Sequence, residues 1–95
     1  MRAAKIDANH TAIVKAIRAV GASVQSLAAV GKGVPDLLVG KDGKTWLIEC
    51  KDGANAPSAR QLTPDQREWI DAWRGTPVVV AYGPDDALRA IGAIK

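Results

Sequence analysis

The stretch GVPDLLVGKDGKTWLIECKDG, residues 33–53, carries two short apolar runs, PDLLVG and TWLIECK, on either side of KDGK. An Asp-Gly pair between apolar runs is the strongest short-range hairpin signal, because both residues tolerate the positive φ of a tight two-residue turn. With Asp42 and Gly43 as that turn, Lys41 faces Lys44, and counting outward along both strands sets Asp36 opposite Glu49. A four-residue loop from Lys41 to Lys44 keeps this register, whereas a three-residue loop shifts it by one and separates the two carboxylates. Opposed residues of an antiparallel pair share a face with Cβ atoms ~4.5–5.5 Å apart, and Lys51 then lies diagonally at ~7–8 Å on the same face.

Two carboxylates facing each other repel, so a sequence selected for stability alone would avoid the pairing. A positive charge is expected between them. The spacing suits one divalent ion held by oxygens, and an octahedral Mg²⁺ with few protein ligands keeps waters and can also grip a phosphate. Such an ion polarises a phosphate and acidifies a bound water, while the Lys51 ammonium can orient the nucleophile and offset developing charge. The plainer alternatives are strand-end carboxylates standing in solvent and a lysine snorkelling at a sheet edge.

Outward from the hairpin, Ile13, Val14, Ile17 and Val20 form an apolar stripe at helical spacing closed by Gly21, which predicts a helix over residues 8–20 with Asp7 or Asn9 as its N-cap. Residues 22–30 alternate weakly and read as a strand leading into the flexible Gly31-Lys32-Gly33. Residues 52–61 are small and polar, hence a loop, and its Arg60, like the Gly31-Lys32-Gly33 turn, is a candidate for phosphate contact or simply solvated. LTPDQREWIDAWRG reads as a second helix with Thr63 as N-cap, Pro64 at its first position and Gly75 past its end. TPVVVAYG reads as a buried β-branched strand and PDDALRAIGAIK as a closing helix. The order α-β-β-β-α-β-α with mixed pairing describes an α/β fold, a central sheet flanked by helices.

A chain of 95 residues fits one domain, residues 1–95, with a single core and a plausible second subunit. Thirteen Lys+Arg against ten Asp+Glu is a mild bias towards polyanions, short of a polybasic tail. One cysteine, Cys50, excludes an internal disulfide, and with one histidine, His10, it leaves no cluster for a structural zinc site, so a catalytic metal must be held mostly by oxygen. No apolar run approaches the ~18 residues of a membrane span, which leads to the expectation of a soluble, cytoplasmic protein.

The PD of residues 35–36, the strand-hairpin-strand spacing and the ECK of residues 49–51 resemble the PD-(D/E)XK nuclease superfamily. The whole chain, with GVPDLLVG, ECKDG and LTPDQ, resembles a stand-alone VRR-NUC domain of phage or bacterial type. That resemblance implies a restriction-endonuclease-like αβββαβ core and cleavage of DNA dependent on Mg²⁺ or Mn²⁺. It implies that Asp36 and Glu49 bind the metal, that the Cys50 backbone carbonyl is a further ligand, and that Lys51 assists the attacking water. Stand-alone members are associated with homodimers that resolve branched DNA such as Holliday junctions, in a bacterial or phage-infected cell.

This sequence departs from the family pattern at one place. Where the family carries a glutamate on its first helix, His10 lines up, one turn ahead of Ile13 and Val14, and either it or Asp7 would have to serve. A helix-end histidine satisfied by its neighbours is the competing reading. Gln66 stands third after Thr63, where it would complete a capping box, and it shares a face with Trp69, Ile70 and Trp73, which also suits the glutamine that the family keeps near its active site. Trp69 and Trp73 themselves read as core or dimer interface. A DNA endonuclease is the reading that follows, and a catalytically idle DNA-binding or assembly module retaining the fold is its alternative.

Overall fold

The computed structural model describes residues 8–95, so Asp7 lies outside the described residues. Helix α1 spans Ala8–Ala19 and is followed by three strands, β1 (Ser23–Ser26), β2 (Leu37–Lys41) and β3 (Lys44–Cys50). After a short 3-10 turn at Pro57–Arg60 come α2 (Pro64–Ala72), β4 (Val79–Ala81) and α3 (Pro84–Ala90). The element order is the one expected. The strands lie in the order β1-β2-β3-β4, antiparallel except for the parallel β3-β4 pair, whose connection runs through α2.

The hairpin has the expected register. Asp42 and Gly43 take φ of 53° and 78°, both positive as a primed two-residue turn requires, and Lys41 pairs with Lys44 and Leu37 with Ile48. Side chains alternate across a pleated strand, so this register sends Leu37, Val39 and Ile48 to one face and Leu38, Leu47 and Glu49 to the other. On the first face Ile13 and Ile17 of α1, with Ala87 and Ile91 from the α3 region, close the core, and these four are at most 4% exposed. Burying an aliphatic side chain to that extent contributes roughly 1.5–3 kcal/mol, which is why the α1 stripe holds the helix in place. Val20, the last member of the expected stripe, falls beyond the helix end and is 37% exposed.

Several boundaries differ from the sequence reading, for local reasons. β1 covers only four of the residues 22–30: Leu27 N–H makes a last in-register bond to Asp36 O at 2.7 Å, and the chain then turns, with Val30 N–H donating back to Leu27 O. Asn9 is no N-cap: it lies inside α1, and its Nδ2 donates to Lys51 O at 2.6 Å and Tyr82 O at 3.4 Å, tying the first turn of the helix to the ends of β3 and β4. β4 is half-buried at Val79 and Val80 and buried only at Ala81. α2 ends at Ala72, short of Gly75, and contains no buried residue. Trp69 and Trp73 therefore do not join the core; they stack on each other with centroids 4.9 Å apart, and Trp73 stays 42% exposed.

The N-terminal end of α2 is where the helix is fixed. Thr63 and Gln66 form a reciprocal capping box, and Gly33 presses against the first turn so closely that a Cβ there would collide with Asp65 O. This clamp sets the position of Gln66 relative to the carboxylate end of the hairpin. Among the described residues no helix is long and apolar enough to cross a membrane.

Candidate active site

The C-terminal end of β3 meets the residue that precedes β2, and the two carry the carboxylates. Glu49 is buried, only 2% exposed, on the face opposite the core, and Asp36 is half-buried beside it. Neither is a strand-end charge standing in water. The Cys50 N–H donates to Asp36 Oδ2 at 2.8 Å, so the Asp36 side chain takes up a main-chain donor at the point where regular pairing with β3 stops. The Asp36 and Glu49 carboxyl groups lie close enough to interact directly.

That contact needs a proton or a cation. Two ionised carboxylates are both acceptors, and Glu49 Oε1 is buried without a donor among the described residues. Burial first, then the hydrogen bond and like charge of Asp36, push the Glu49 carboxyl up to about 9, with Lys51 pulling the other way. Burial and the neighbouring carboxylate thus favour one proton shared by the metal-free pair near neutral pH.

Gln66 joins the remaining parts. Its Oε1 accepts from Lys51 Nζ at 2.7 Å and from the Thr63 N–H at 2.9 Å, and its Nε2 donates to Glu49 Oε2 at 3.3 Å. One amide group thus completes the helix cap and contacts both Lys51 and Glu49. Lys51 is held on the same side by its own backbone, whose N–H donates to Ala81 O at 2.9 Å and whose carbonyl accepts from Asn9.

His10 is 7% exposed, facing the sheet as its helical phase predicts. An imidazole nitrogen, an Asp36 carboxylate oxygen and the Cys50 sulfur lie within 4.8 Å of one another. Cys50 thus brings its thiol, as well as its main chain, to this end of the sheet. The period of two along β3 carries the signal: Cys50 follows Ile48 on the core face, the side from which α1 approaches. Asp36 stands between two groups, Glu49 with Gln66 and Lys51 towards α2, and His10 with Cys50 towards α1. The part Asn9 plays in fixing α1 has no sequence signal, since it depends on two carbonyls far along the chain.

Arg60 does not stand free in its loop; it is half-buried and its Nη1 reaches Gly53 O at 3.4 Å. With Arg67, Gln61 and Tyr82 it lines a surface cleft.

The residues fit a divalent cation. A buried carboxylate oxygen without a donor, facing a second carboxylate, is a place where a cation replaces a shared proton, and the oxygen donors suit a hard ion. No protein-family model and no curated protein matches the chain. The chain is similar to a solved structure of a VRR_NUC domain, with 28% identity, a TM-score of 0.56, and 90% of this chain and 91% of that one covered. The four-stranded mixed sheet with three helices is consistent with a VRR-NUC nuclease core.

Proposed function

We propose that this chain is a DNA endonuclease that hydrolyses phosphodiester bonds with Mg²⁺ or Mn²⁺ and acts as a homodimer on branched or structured DNA such as Holliday junctions. The observation that carries the reading is Glu49: its buried carboxyl group faces Asp36 and leaves Oε1 without a donor among the described residues, a costly arrangement unless a cation is part of the working site. Asp36, Glu49 and the Cys50 carbonyl would hold the ion, with His10 at its helix side. When bound, the ion supplies polarisation of the scissile phosphate and a more acidic water.

Lys51 places its ammonium beside Glu49 and is oriented by Gln66, so its charge can offset the negative charge that builds on a phosphate during attack. Arg60 and Arg67 in the neighbouring cleft would neutralise phosphates along the strand without reading bases. Two-strand incision needs two sites, which favours a second copy. Leu38 and Trp73, both more than a third exposed, line one apolar surface groove with Leu47 that a partner could cover.

The test is cleavage of labelled four-way junction, flap and linear duplex with and without Mn²⁺, together with sedimentation of the protein. Wild type should cut a branched substrate only with metal and should sediment as a dimer. Asp36→Asn, Glu49→Gln and Lys51→Ala should each lose most cleavage while DNA binding stays within a few-fold, because phosphate affinity comes from many cations. Normal cleavage by Lys51→Ala would reject this mechanism. The idle DNA-binding module is the second reading, favoured by His10 in place of an acid on α1; DNA binding without cleavage on every substrate would establish it.

A further inference from the structure

We propose that His10, Asp36 and Cys50 form a second, softer metal site that takes a zinc-type cation through the Cys50 sulfur, on the α1 side of Asp36, the one carboxylate it shares with the oxygen pair. Three donors of different chemistry, an imidazole nitrogen, a carboxylate oxygen and a sulfur, lie within 4.8 Å of one another. In a tetrahedral zinc site, bond lengths of about 2.0–2.3 Å set the donors roughly 3.3–3.7 Å apart, so closing around an ion needs side-chain movements of about 1 Å. The backbones that carry the donors are already tied together. Asn9, next to His10, bonds to Lys51 O, next to Cys50, at 2.6 Å, and the Cys50 N–H bonds to Asp36 Oδ2 at 2.8 Å.

Donor chemistry selects the metal. A thiolate and an imidazole favour zinc and related ions over Mg²⁺, which demands oxygen ligands, and three protein ligands leave a fourth position for water or an incoming group. Ligation converts the Cys50 thiol to a thiolate and releases its proton to solvent. Since Asp36 belongs to both groups, zinc here would draw that carboxylate away from Glu49. The binding claim itself rests on the three side chains and holds whether or not the chain cleaves DNA.

Cobalt is the probe. Reduced, metal-stripped protein titrated with Co²⁺ should develop a near-ultraviolet sulfur-to-cobalt charge-transfer band with an end-point of one ion per chain, and Zn²⁺ but not excess Mg²⁺ should abolish it. The chain has one cysteine, so the band reports on Cys50 alone. Cys50→Ser should remove the band, His10→Gln should prevent it at equimolar cobalt, and Glu49→Gln should retain it. The wild-type spectrum needs no variant to fold. Absence of the band, an end-point of half an ion per chain, as when Cys50 bridges two molecules, or loss of the band in Glu49→Gln would each overturn the proposal.

Discussion

Gln66 Oε1 accepts from Lys51 Nζ at 2.7 Å, and the same side chain closes the capping box of α2. A local helix signal and a long-range site contact thereby share one amide, so the two roles can be separated by mutating the other half of the cap. Gln66→Ala loses both and should reduce cleavage about 10–100-fold, the usual cost of removing a partner that orients a metal-site group. Thr63→Ala loses only the hydroxyl of the cap and should lower stability by about 1 kcal/mol while cleavage persists. Parallel melting and cleavage measurements on the two variants decide it; equal loss of activity in both would reduce Gln66 to a cap.

The Glu49 carboxyl gives metal-free protein a stability that falls with rising pH. Its ordinary value is 4.5 and folding raises it to about 9, so between these values the native state holds a proton that the unfolded chain releases. The contribution is complete below the unfolded value and disappears as pH climbs through the folded one. In EDTA, the melting temperature should therefore decrease between about pH 5.5 and about pH 8.5, with a slope of up to about 1.4 kcal/mol per pH unit from this group. Glu49→Gln should flatten the curve over that window. A wild-type curve that rises there and is unchanged in Glu49→Gln would mean that Glu49 titrates normally.

Gly33 and Gly31 offer a paired test of how α2 is held. Both have positive φ, 83° and 73°, but a Cβ on Gly33 would collide with Asp65 O while one on Gly31 meets nothing within 4 Å. Gly31→Ala should cost about 1–2 kcal/mol, the backbone penalty alone. Gly33→Ala should cost clearly more and displace α2, detectable as a change in Trp69 and Trp73 fluorescence. Equal melting temperatures for the two variants would show that the loop is not clamped to the helix.

What could be read from the sequence follows from how local the controlling physics is. Asp42 and Gly43 fix the turn, the turn fixes the register, and the register brings Asp36 to Glu49, each step spanning few residues. Thr63, Pro64 and Gln66 mark the start of α2 in the same way. The strand read over residues 22–30 stops at Ser26 because its neighbour β2 begins only at Leu37, a fact of pairing partners and not of propensity. Trp69 and Trp73 have the spacing of a buried stripe, yet burial depends on what α2 packs against, and α2 is fastened mainly at its N-terminal end. The Cys50 thiol was accessible to the period-two argument, but only the approach of α1 over a long sequence separation brings His10 to it.

The charge pairing itself can be tested through stability. In the metal-free protein Asp36 and Glu49 oppose each other, Oδ2 of Asp36 accepts from the Cys50 N–H, and Glu49 Oε1 has no donor among the described residues. Asp36→Asn keeps an oxygen for Cys50 and offers an amide N–H to Glu49, so folding no longer has to bring either a like charge or an extra proton to the pair. The variant should be more stable in EDTA by about 1 kcal/mol, on the scale of cross-strand pair effects, a shift of about 4–8 °C in a domain of this size. Wild type should recover the difference with metal, since an ion that binds the native pair and scarcely binds the unfolded chain adds roughly 2.7 kcal/mol at about 100 times its dissociation constant. In the variant that gain should largely vanish. Thermal unfolding of both proteins in EDTA and in Mn²⁺ gives the four values needed. An Asn variant that is less stable in EDTA, yet gains as much from Mn²⁺ as wild type, would make Asp36 a structural acceptor for Cys50 and put the metal elsewhere.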